Sequence, residues 1–198
     1  MPKLVETTRA ARQAHILRAA VACFARRGYY GTTMEEIATE AGIAKGAAYV
    51  YFESKEALFL ALYDAWGCAL REEITAALAA LPPTERTSPR RVLRMIVEVT
   101  GQHVQADAPT CRVLMEARTL AAYLPAIATR VAAEQAQGQA QLEALIQAGV
   151  VAGEWPANLD VGLHTRLVRA TIHGLMATWH VAPGSFSWDA AAAALAAW

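Results

Sequence analysis

Forty-five of the 198 residues are alanine, and this bias narrows the possible folds more than any other property of the chain. Alanine is the strongest helix former, because it gives up no side-chain rotamers and buries no polar atom in a helix. The 12 glycines and 8 prolines are sparse between long alanine- and leucine-rich stretches, so helix is the dominant element. Apolar residues make up 55% and charged residues 18% of the chain, a balance that supports a sizeable core and argues against intrinsic disorder. The implied class is all-α with about nine helices, and an all-β protein is excluded.

Periodicity and punctuation locate the helices. From about residue 8 to residue 27, Ile16, Leu17, Ala20, Val21, Cys23 and Phe24 recur at spacings of three and four, and Gly28 supplies a C-terminal stop. Thr33-Met34-Glu35-Glu36 has the Thr-x-x-Glu pattern of a capping box opening a short helix to about Ala41. Lys45 to Tyr51 has room for a third. Ser54 caps a long fourth helix to about Ala80, which Pro82-Pro83 ends, and Ser88-Pro89 restarts the chain with a cap followed by proline at the first helical position. That fifth helix runs to about Asp107. Pro109 and Pro125 open two further segments, and helices at about 159–181 and after Ser187 complete the chain.

Charge is unevenly placed. Residues 1–55 carry eight basic and five acidic side chains, a local balance of +3 in a chain whose formal net charge is zero, and all three lysines lie there. Binding a polyanion depends on the local field rather than the total, so a basic end fits a nucleic-acid contact. The uncharged run 170–188 is interrupted by His173, His180 and Pro183-Gly184, which reads as a buried helix and a turn rather than a membrane span. No signal-peptide pattern opens the chain, and Cys23, Cys68 and Cys111 form no CxxC pair; both suit a cytoplasmic protein with reduced thiols.

Three short helices within 52 residues, with a four-residue turn from Ala41 to Ala44 between the second and third, have the layout of a helix-turn-helix unit. Ile37, Ala38 and Ile43 would pack inward, and the third helix would enter the major groove. Lys45 and Gly46 would bring a cationic donor and an unobstructed backbone to the bases, while Thr32, Thr33, Tyr49, Tyr51 and Lys55 offer donors for phosphates.

The string GYYGTTMEEIATEAGIAKGAAYVYFESKEAL from Gly28 to Leu58, with residues 16–24 before it, resembles the N-terminal domain of the TetR family of bacterial transcriptional regulators. Gly149-x3-Gly153-Glu154-Trp155, followed by Asp160 and a long helix with Gly174-Leu175, looks like the C-terminal pattern of the same family. The resemblance implies that Lys45 and Gly46 lie near bases, that Thr33, Tyr49, Tyr51 and Lys55 lie on phosphates, and that Phe52 belongs to the small domain's core. The family's recognition helix commonly starts with serine where this chain has Ala44, and carries hydroxyl or larger side chains where it has Ala47, Ala48 and Val50. Readout would then lean on methyl contacts, Ala47 among them, and on DNA shape.

These features imply a DNA-binding domain over residues 1–53 and a ligand-binding and dimerisation domain over 54–198. The implied function is a homodimeric regulator, a repressor in most of the family, released from a palindromic operator by a small apolar or aromatic molecule; activation is the alternative. Trp66, Met95, His103, Cys111, Met115, Tyr123 and Trp179 are candidates to line an effector pocket. Gly162, Ala170, Gly174 and Ala177 would let two helices approach closely at a dimer face. No nucleophile with its base, no phosphate-cradling glycine loop and no metal-ligand spacing stands out, so neither catalysis nor a cofactor is expected. A helical small-molecule-binding protein or enzyme with a vestigial head is the rival reading.

Overall fold

The computed structural model describes the backbone of residues 2–198 and the side chains of residues 9–198, and all regular structure among them is helical. In chain order the helices are α1 (Pro2–Arg27), α2 (Met34–Glu40), α3 (Lys45–Tyr51), α4 (Lys55–Ala80), α5 (Pro83–Arg86), α6 (Pro89–Ala106), α7 (Ala108–Leu114), α8 (Ala117–Leu120), α9 (Pro125–Val151), α10 (Val161–Val181) and α11 (Trp188–Ala197). The expected count of about nine becomes eleven because two single turns, α5 and α8, escape periodicity. Four residues show no repeat, and in α5 Pro83 starts a new turn where the sequence suggests only a stop. None of the described helices is long and apolar enough to cross a membrane.

Local chemistry sets the helix boundaries. Gly28 and Gly42 adopt φ of +69° and +65°, a left-handed conformation that ends α1 and α2 without a Cβ clash. Ser54, Ser88 and Ser187 each accept a backbone N–H of the first turn they cap, from Ala57, Arg91 and Ala190. Asp160 does the same for Leu163 at 2.9 Å.

The chain packs as two compact units. The first comprises residues up to Gly67 together with Pro109–Arg130. Its core holds Ile16, Ala20, Cys23 and Phe24 of α1, Ile37 and Ala38 of α2, Ala48 of α3, and Leu58, Phe59 and Leu62 of α4, all buried. Phe24 meets Phe59 edge to face at 5.8 Å between centroids, and Tyr29 meets it likewise at 5.4 Å. Packing therefore continues past residue 53, because the first turns of α4 supply core residues to the head.

The second unit comprises Cys68–Ala108 and Val131–Trp198. Leu81, Val92, Met95 and Val99 form a cluster there with Leu70, Ile74, Leu78 and Leu145 packed against it. α6 and α11 meet at Gly101, where any Cβ would lie 2.4 Å from the Trp188 ring.

Candidate nucleic-acid interface

The bend between α2 and α3 is built from backbone hydrogen bonds and small side chains. Thr33 Oγ1 accepts the Glu36 N–H at 3.2 Å while the Glu36 carboxylate accepts the Thr33 N–H at 2.9 Å, so both halves of the capping box are formed. Those contacts hold the Glu36 carboxyl below the usual carboxylate range, the Thr33 N–H being the largest cause. At the other end Gly42 N–H donates to Thr39 O and Ile43 N–H to Ala38 O, each at 3.0 Å. Two ion pairs then tie α1 to α2: Arg26 with Glu40 at 2.6 Å, and Arg27 with Glu36.

On this frame α3 turns Ala48 fully inward and exposes Lys45, Gly46, Tyr49 and Val50. Val50 is 69% exposed, a large apolar side chain left in water on a short helix. Apart from its chain neighbours and its own helix backbone, Gly46 has no protein atom within 4 Å of where a Cβ would stand. Ala47 and Tyr51 are half-buried, and the Arg9 guanidinium lies 5.9 Å above the Tyr51 ring. The Lys45 ammonium pairs with Glu35 at 2.8 Å, and that contact raises its pKa. Phe52 is buried in the head's core.

Thr32 and Lys55 both make hydrogen bonds within the head. Thr32 is 1% exposed and its hydroxyl donates to Gly28 O at 2.8 Å. Lys55 Nζ donates to Tyr29 O at 2.6 Å and Thr32 O at 2.7 Å, and sits 4.4 Å over the Tyr29 ring. Burial pushes the Lys55 pKa down. Both side chains hold the turn from Gly28 to Thr32. This was not legible from local sequence, because the Lys55 acceptors lie 26 and 23 residues away.

The candidate effector residues divide between the two units. Trp66, Cys111, Met115 and Tyr123 belong to the first, and Met95, His103 and Trp179 to the second. Cys111 is buried, whereas Tyr123 is 71% exposed. Met95 is part of the second unit's apolar cluster. His103 Nδ1 lies 3.0 Å from the Glu73 carboxylate, and Trp179 packs edge to face on Phe186 at 5.7 Å. Of the candidate dimer-face residues, Ala170, Gly174 and Ala177 are exposed along α10 and Gly162 is half-buried. Leu163, Leu167 and Val181 extend that exposed stripe beyond the small residues that mark it in the sequence.

Comparison with known proteins bears on this geometry. Residues 16–62 match the family model described as bacterial regulatory proteins, tetR family, and residues 89–198 match the model described as BetI-type transcriptional repressor, C-terminal. Over 107 residues the chain is 35% identical to the HTH-type transcriptional regulator RutR of Escherichia coli K12, covering 51% of this chain and 47% of that protein. The chain spans less than half the length of the curated relatives it matches. A TetR-like transcriptional regulator from Rhodococcus sp. RHA1 superposes with a TM-score of 0.74 at 27% identity, covering 94% of this chain and 92% of that one. FadR from Bacillus subtilis, solved in complex with stearoyl-CoA, superposes with a TM-score of 0.76 at 20% identity, covering 92% and 95%, a likeness of fold.

Proposed function

The chain belongs to the tetR family of bacterial regulatory proteins, and from that premise we propose that it is a homodimeric repressor that binds a palindromic operator and leaves it when a small molecule binds the C-terminal region. The observation that carries this reading is the exposed face of α3. Lys45, Gly46, Tyr49 and Val50 present a cation, an open backbone, a phenol and a pair of methyl groups on one short helix. Those groups match guanine edges, close approach, phosphate oxygens and thymine methyls respectively. Thr33, Ala47 and Tyr51 flank that face and complete the proposed contact set, while Thr32 and Lys55 hold the turn behind it.

A single three-helix head buries too little nucleic acid for tight specific binding, so two copies are required. The exposed stripe Leu163, Leu167, Ala170, Gly174, Ala177 and Val181 supports dimerisation through α10 with α11, its small residues permitting close approach. Two heads related by a two-fold axis read half-sites about 34–36 Å apart. An effector that prefers a head spacing incompatible with the operator lowers DNA affinity by its differential affinity for the two states, and DNA weakens the effector by the same factor. The role is one of binding, in the cytoplasm, without a catalytic step.

Titrating the purified protein against genomic fragments at two salt concentrations tests the proposal. A tight site with a steep salt slope supports it, and uniformly weak binding to all fragments contradicts it.

A further inference from the structure

The four acidic side chains of the α1–α3 head that lie between Glu35 and Glu53 do different things. Glu36 closes the capping box and pairs with Arg27, and Glu40 pairs with Arg26; both tie α2 to α1. Glu53 lies beyond the end of α3. Glu35 alone bridges α2 to the start of α3, with its carboxylate 2.8 Å from Lys45 Nζ. The pair is open to solvent, the Lys45 side chain 57% and the Glu35 side chain 65% exposed, and beside it Gly46 leaves free space where a side chain would stand. An exposed ion pair of this kind adds little to stability. It places a hydrogen-bond donor and an acceptor side by side at the rim of the face that meets DNA.

We infer that Glu35 and Lys45 act together as the reader of one G·C base pair in each half-site, Lys45 donating to guanine and Glu35 accepting from cytosine. In the major groove guanine presents the acceptors O6 and N7, and its partner cytosine presents an N4 amino donor. O6 and N4 of the pair are themselves hydrogen-bonded, so they lie about 2.9 Å apart. A Lys45 donor and a Glu35 acceptor 2.8 Å apart match that edge atom for atom, in one orientation only. An A·T pair in the same orientation puts an amino donor on the purine and an oxygen acceptor on the pyrimidine, the reverse order; a T·A pair restores the order through O4 and N6 but sets the thymine methyl, not the guanine N7, beside Lys45. The carboxylate makes Glu35 a discriminator as well, since it repels phosphates and is compensated only where a base amino group, here cytosine N4, supplies an N–H.

This inference rests on the proposed DNA-binding role, and its test separates the two. The wild type, Glu35→Ala and Glu35→Gln are each used to select duplexes from a randomised library, and affinities are then measured for the selected duplex with its G·C pair kept or replaced by A·T. The wild type is expected to prefer G·C by about tenfold or more at one position per half-site. Glu35→Ala should reduce that preference to below about threefold there and leave the other positions unchanged. Glu35→Gln, whose amide oxygen still accepts from cytosine, should retain most of it. If Glu35→Ala keeps the full preference, or if Ala and Gln behave alike so that only the lost charge matters, the joint reading is overturned while the regulator survives. If the wild type itself enriches no sequence, the regulator reading falls and this one with it. Thermal unfolding of each variant confirms that the head is folded in every arm.

Discussion

The carboxylate of Glu116 accepts the N–H of Tyr29 at 3.2 Å across 87 residues of sequence. Glu116 sits at the start of α8, and its oxygens would lie 3.7 and 3.9 Å from a Cβ at Gly28. The turn that follows α1 is therefore held from two sides, by this carboxylate and by the Lys55 ammonium on the carbonyls of Tyr29 and Thr32. Replacing Glu116 by alanine should cost about 1.5–3 kcal/mol of stability, the range for a hydrogen bond to a charged group, and glutamine should recover part of it. Urea denaturation checks this through a lowered midpoint at unchanged slope.

Lys55→Met keeps most of the apolar stem and removes the ammonium from two carbonyls. Stability should fall by about 1–3 kcal/mol, as buried acceptors lose a charged donor. Operator affinity should fall as well, with the salt slope unchanged, because no phosphate contact is lost. Lys45→Ala should weaken binding and relax base preference while dimerisation, read by sedimentation, stays intact. A salt slope reduced by about one in Lys55→Met would restore Lys55 to the phosphate contacts.

Gly101→Ala forces a methyl into the Trp188 ring, whose nearest atoms lie 2.4 Å from the added Cβ. α11 must then shift away from α6, at a cost of about 1–3 kcal/mol for overpacking. The expected result is a lower denaturation midpoint, with near-ultraviolet circular dichroism showing a changed tryptophan environment.

His164 is 8% exposed, and its Nε2 is buried without a hydrogen-bond partner beside Trp155. Burial lowers its pKa from 6.5, so between the folded value and 6.5 the unfolded chain binds more protons than the folded one. His164 thus contributes stability that is present above pH 6.5 and lost as pH falls through its folded pKa. Denaturation midpoints taken from pH 8 to pH 5 should fall less steeply for His164→Phe than for the wild type; identical slopes would show that the imidazole does not titrate against folding.

Local signals were readable in the sequence and long-range ones were not. The Thr33–Glu36 box, the serine caps and the stop at Gly28 each depend on residues within one helical turn, and each appears where its spacing places it. The inward turn of Lys55 depends on where two distant carbonyls come to rest, and the Glu116 contact depends on a segment 87 residues further along. Glu35 reads as one acidic residue among several until α3 brings Lys45 beside it. On α10 the small residues Ala170, Gly174 and Ala177 mark the outward face in the sequence, but Leu163 and Leu167 of the same stripe read no differently from the buried Val168.

Gly46→Leu tests most directly whether the exposed face of α3 lies against a duplex. Beyond its chain neighbours and its own helix backbone nothing lies within 4 Å of the added Cβ, and leucine favours helix over glycine by roughly 1 kcal/mol, so the variant should fold with an unchanged or raised unfolding midpoint. Its affinity for the tightest genomic fragment, measured beside the wild type at the same salt, should drop by about tenfold or more. A folded Gly46→Leu protein that binds that fragment as tightly as the wild type would contradict the account.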